Sequence, residues 1–177
     1  IAIEAEGDQY DIYVVYAVGS AMETAEVSGL AHLVEHTMYT GTEKTPSGWH
    51  DARVLELGGE SNAYTRPDIT AYYDTGIPGS ALSEVLEMEA DRMRGLVFDA
   101  AAFSTERTRL QSEEQNTRDS RSFIEARRNR FMFGPRGYGA FERDDFGNSK
   151  APSLPLSTVR EFYDRWYQPE RASVVVV

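Results

Sequence analysis

Residues 32–36 read His-Leu-Val-Glu-His, and this run constrains the local structure more than any other feature of the chain. On an α-helix, positions i, i+3 and i+4 are neighbours, so His32, Glu35 and His36 share one face within a single turn. Two neutral imidazoles four residues apart can both reach a tetrahedral Zn²⁺, and a carboxylate beside them can take a proton from water at the metal. The pattern therefore points to hydrolysis. The plain alternative is a partly exposed helix whose polar side chains are merely solvated. Against it, the chain has only three histidines, and two of them hold this spacing around a Glu.

Composition narrows the ligand chemistry further. There is no cysteine, which excludes disulfides, thiolate zinc sites and cysteine nucleophiles, so any metal must be held by His and carboxylate. The formal charge is −11 and lysine occurs only at Lys44 and Lys150, a balance that argues against nucleic acid or an anionic membrane surface as partner. No apolar stretch approaches the roughly 20 residues needed to span a bilayer. With 177 residues, 41% hydrophobic and 11% aromatic, the chain can build a packed core, as one domain or as part of a larger one. It opens on Ile1, so a removed targeting segment would leave no trace.

Along the chain, strand and helix signals fall in separate blocks. Ile12 to Val18 reads as a buried strand, and Ile1 to Ala5 is expected to pair beside it. Ser28 is the expected N-cap of a helix through Leu30 to Tyr39, closed by Gly41. A short helix follows Pro46-Ser47, with Trp49, Val54 and Leu57 apolar, and Gly58-Gly59 stops it. Ser61 to Arg66 and Ile69 to Thr75 then form a hairpin about Pro67-Asp68. Ser80 is the expected cap of a helix carrying Leu82, Val85, Leu86 and Met93.

Farther on, a long helix from about Ala100 to Thr117 sets Glu106, Leu110 and Glu113 on one face. A second segment, Phe123 to Phe133, is expected to turn Ile124 and Phe131 inward, and an irregular loop runs from Gly134 to about Pro155. Thr158 and Glu161 suggest a capping box for a last helix with Val159, Phe162, Tyr163 and Trp166 on its apolar face, ended by Pro169. Ser173 to Val177 reads as a strand buried on both faces. No internal repeat or low-complexity segment is present. The separate strand and helix blocks favour an α+β fold, a mostly antiparallel sheet packed against helices.

Several of these residues recur together elsewhere. Gly29-Leu-Ala-His-Leu-Val-Glu-His36, then Gly41-Thr42, Gly58-Gly59-Glu-Ser-Asn62-Ala63-Tyr64-Thr65, Glu106-Arg107 and Glu113 resemble the pitrilysin or insulinase family of zinc peptidases, the inverzincins, which include mitochondrial processing peptidase. The closing Tyr167-Gln-Pro169 segment is similar to the stretch that leads into a core strand in that family.

The resemblance implies Zn²⁺ as cofactor, His32 and His36 as ligands and Glu35 as general base. It implies Glu113 as third ligand; spacing alone leaves Glu114 and Glu106 open, and the Glu106-Arg107 helix start aligns Glu113, with Glu114 the runner-up. Glu106 would orient the site from behind the ligands. Asn62, Ala63 and Tyr64 would lie on an edge strand that receives substrate backbone by β-augmentation, where without the resemblance Tyr64 would read as a core residue of an ordinary hairpin. The implied activity is zinc-dependent endopeptidase cleavage of peptides or unfolded polypeptides. The alternative is a zinc-binding but non-catalytic, peptide-presenting subunit. Residues 1–177 would form a single, incomplete N-terminal catalytic domain of the processing-peptidase type. Further domains are expected in cis or on a second chain, in a bacterial periplasm or cytoplasm.

Overall fold

The computed structural model describes residues 7–116, 120–134 and 149–177. Four strands, β1 (Gln9–Tyr16), β2 (Glu60–Thr65), β3 (Thr70–Pro78) and β4 (Ala172–Val176), form one sheet in the order β2-β3-β1-β4. Every neighbouring pair is antiparallel. Six α-helices lie among the described residues: α1 (Leu30–Thr37), α2 (Trp49–Glu56), α3 (Leu82–Gly95), α4 (Ala100–Asn116), α5 (Ser120–Phe133) and α6 (Leu156–Trp166). The fold class is α+β, as the sequence implied.

Strand alternation sets which residues meet the helices. Val14 and Tyr16 of β1 and Tyr72 of β3 point to one face, where they join Leu30, Leu33 and Val34 of α1 in the main core. Phe103 and Leu110 of α4 and Val159, Phe162 and Tyr163 of α6 close that core from the other side. A smaller cluster of Ile12, Val54, Ile77, Val85 and Met88 seats α2 and α3. Each fully buried Leu or Val side chain contributes about 1.5–3 kcal/mol of transfer free energy. The helix that carries the His-x-x-Glu-His run is thus locked by its opposite, apolar face.

The N-terminus of α1 differs from the expectation. Its cap is Gly29, at φ +81°, with no side-chain cap of its own. The carboxylate of Glu23 instead reaches across the loop and accepts the amides of Gly29 and Ala31, both at 2.7 Å. An anion at a helix N-terminus meets unpaired N–H groups and the positive end of the dipole. Ser28 serves elsewhere, its Oγ accepting the Lys150 amide at 3.0 Å.

Other elements also depart from expectation. The helix α3 starts after a 3₁₀ turn and its cap is Ala81, not Ser80. α6 starts at Leu156 behind Pro155, so Thr158 sits inside the helix and forms no capping box. Pro155 fixes the entry φ and ends the preceding extended backbone sooner than the side-chain pattern suggested. On α5, Ile124 and Phe131 face solvent, at 61% and 91% exposure, rather than the interior. β4 is an edge strand whose Val174, Val175 and Val176 are exposed, not a strand buried on both faces. The expected strand at residues 1–5, the helical position 117 and most of the 134–155 loop lie outside the described residues.

Candidate metal centre and cleft

The helical turn of α1 places the two imidazole rings 4.9 Å apart, and α4 crosses above them with Glu113. One Glu113 oxygen lies 3.6 Å from His32 Nε2 and the other 3.3 Å from His36 Nε2. A tetrahedral ion with ligand bonds of about 2.0–2.1 Å has donor atoms about 3.4 Å apart. The three side chains therefore have the spacing and the N/N/O chemistry that a zinc ion requires, and their ligating atoms all lie within 4.8 Å of one another. Glu114 is buried against the body of the molecule and lies outside this group.

Glu106 stands behind His36. Its Oε2 is 3.5 Å from His36 Nδ1, and its Oε1 accepts Arg109 Nη1 at 2.7 Å. A carboxylate on the far ring nitrogen fixes the imidazole's rotation and favours the tautomer that leaves Nε2 free. Burial alone would depress His36, but Glu106 and Glu113 outweigh it and hold the metal-free imidazole up at about 9. Glu35 shares the turn and is 8% exposed. Desolvation raises its carboxyl above the usual carboxylate range, while the Thr65 hydroxyl, donating to Oε2 at 2.5 Å, pulls the other way.

Thr65 joins the site through this hydrogen bond to Glu35, a contact that the sequence pattern does not assign. It ends β2 on the same face as Ser61 and Ala63, the alternate positions that are shielded while Glu60, Asn62 and Tyr64 are exposed. Behind it, the Tyr167 hydroxyl and Thr70 Oγ1 are 3.3 Å apart, and Thr70 Oγ1 donates to the Val18 carbonyl. Period-two alternation along β2 could have found Thr65. Nothing local marks Glu23, whose action on α1 spans six to eight residues of loop.

A cleft of about 1090 Å³ unites these groups. Its walls include the two histidines, Glu35 and Glu113, and β2 from Ser61 to Thr65. β2 is an edge of the sheet, and Asn62 Oδ1 accepts the Ala63 amide at 2.8 Å. Tyr64 is not a core residue; it lies open beneath the Arg66 guanidinium, 5.5 Å from the ring centre.

Residues 1–134 match the family model described as Insulinase (Peptidase family M16). The chain belongs to the insulinase family, peptidase M16. It is 31% identical to the zinc protease PqqE of Helicobacter pylori, over all of this chain and 40% of that protein. The solved periplasmic protease PqqL of Escherichia coli superposes with a TM-score of 0.82 at 25% identity, covering 96% of this chain and 19% of that one. Pitrilysin superposes at 0.81 with 22% identity, a likeness of fold. The chain thus spans two fifths or less of these relatives' lengths. Zinc is the cofactor that the family's zinc proteases imply, and the donor spacing of His32, His36 and Glu113 fits it. Among the described residues no helix is long and apolar enough to cross a membrane.

Proposed function

We propose that this chain is the N-terminal, metal-bearing part of a zinc-dependent endopeptidase acting on peptides or unfolded polypeptides. The observation that carries the reading is the convergence of His32, His36 and Glu113 at 3.3–3.6 Å beside a buried Glu35. In this reading His32, His36 and Glu113 hold the zinc, which when bound supplies a Lewis acid for the scissile carbonyl and for water. Glu35 accepts the water proton and returns it to the leaving amine; a carboxyl raised by burial is closer to the pKa such a shuttle needs. Thr65 holds Glu35 in one rotamer, and Glu106 holds His36.

The peptide is received on the free edge of β2. Main-chain bonds to an open strand supply sequence-independent affinity, which suits an enzyme for unfolded segments. Asn62 Oδ1 occupies the Ala63 amide in the free protein, and a substrate carbonyl takes that place on binding. The test is a peptidase assay with and without chelator, on wild type and Glu35→Gln. Chelator-sensitive cleavage lost in Glu35→Gln supports the reading. A zinc-loaded wild type that binds peptide without cutting it, even with the remainder of the parent protein present, supports a non-catalytic, peptide-presenting role instead.

A further inference from the structure

A second group of ligating side chains lies outside the catalytic set. His50 of α2, Asp74 of β3 and Glu89 of α3 each bring a ligating atom to within 4.8 Å of the others. His50 Nε2 is 3.2 Å from both Asp74 oxygens and 3.7 Å from Glu89 Oε1. These separations bracket the same tetrahedral edge of about 3.4 Å that the catalytic donors show. Three different elements supply them, and none of the three residues belongs to α1 or α4.

Charge makes this group unlike an ordinary buried ion pair. Asp74 and Glu89 are 0% and 3% exposed, and Arg92, itself 2% exposed, holds Glu89 through Nε and Nη2. Two buried carboxylates stand against one buried guanidinium, so the second negative charge falls to His50, the group that faces Asp74, to meet either as an imidazolium or by sharing a bound cation. Burial raises the Glu89 carboxyl, opposed by Arg92. The Arg92 guanidinium packs over the Tyr39 and Tyr72 rings, 5.1 and 4.6 Å from their centres.

We propose that His50, Asp74 and Glu89 form a second divalent-cation site, for an ion of the zinc class. One imidazole and two carboxylates are an N/O donor set of the kind such ions take. Arg92 orients Glu89 by holding both of its oxygens, Nε on Oε2 and Nη2 on the same Oε1 that faces His50, as outer partners of metal ligands do. The entry path is a cavity of about 220 Å³ with His50 and Arg92 on its wall beside Glu87 and Asp91. The ion ties α2 and α3 to the central strand β3, a structural role independent of peptide cleavage.

Metal stoichiometry tests the site. The purified chain is stripped with chelator, titrated with Zn²⁺ or Co²⁺, and its bound metal counted after gel filtration. Wild type is expected to hold two equivalents, and His32→Ala, which breaks the catalytic set, one. That remaining Co²⁺ should show the d–d absorption of a four-coordinate N/O site and vanish in His32→Ala/His50→Ala. His50→Ala alone should keep one equivalent, which also reports that it has folded. The proposal is overturned if His32→Ala binds no metal, or if adding His50→Ala leaves its metal content unchanged. Should the imidazole ring signals of His50 titrate in metal-saturated His32→Ala, a proton rather than an ion balances the charge, and the proposal falls.

Discussion

At the scale of single residues, the site divides its labour among side chains that touch. Glu35→Gln keeps the shape of the carboxylate but cannot accept a proton, so zinc content should be unchanged while peptide cleavage is abolished; retained turnover in the zinc-loaded variant would contradict the role given to Glu35. Thr65→Val removes the hydroxyl that holds Glu35. It should lower kcat by on the order of tenfold to a hundredfold with little change in KM, and Thr65→Ser should restore it. His36 gives a pH prediction with a definite sign. Its folded pKa, about 9, is above the unfolded value of 6.5. The stabilisation is therefore fully present below pH 6.5 and lost as pH rises through 9. Thermal melts of metal-stripped protein should show stability falling across that window, by on the order of 3 kcal/mol. Zinc competes with the same proton, so zinc uptake should strengthen over the same range.

At the scale of elements, α1 is held by its apolar face in the core and by Glu23 at its N-terminus. Glu23→Ala should destabilise the fold by about 0.5–2 kcal/mol in chemical denaturation, the usual worth of a lost cap. Leu33→Ala, at 0% exposure, should cost about 2–5 kcal/mol. Much of this level was legible. The hairpin of β2 and β3, the helix bearing both histidines and the apolar face of α6 follow from side-chain period alone, because burial on one face is what creates the period. Caps were less legible. Ser28, Ser80 and Thr158 all fit the N-cap preference, yet Glu23 from a distant loop, a 3₁₀ turn and Pro155 took those positions. Capping preferences describe local chemistry, and here tertiary partners compete with it. On α5, Ile124 and Phe131 face solvent for a related reason: periodicity marks an apolar side chain but cannot say whether a surface exists for it to pack on.

At the scale of the whole molecule, the proposed zinc-binding set joins one helix before the hairpin to another after it, and the edge strand between them lines the cleft. This order explains why the two histidines were legible together: His32 and His36 are adjacent on α1, whereas Glu113 needed the family resemblance, because three Glu on α4, Glu106, Glu113 and Glu114, stay open on spacing alone until the helix crossing is known. The relatives are more than twice as long as this chain. Cleavage by the isolated chain should accordingly be weak and should rise when the remainder of the parent protein is added. Robust turnover by the purified chain alone would place the whole active site within these 177 residues.

The most direct test is a crystal structure of the zinc-loaded chain with anomalous maps at the zinc edge. The ion is expected at about 2.0–2.2 Å from His32 Nε2, His36 Nε2 and a Glu113 oxygen, with Glu35 uncoordinated beside it. An ion held by Glu114 in place of Glu113, or no ion between α1 and α4, would contradict the account.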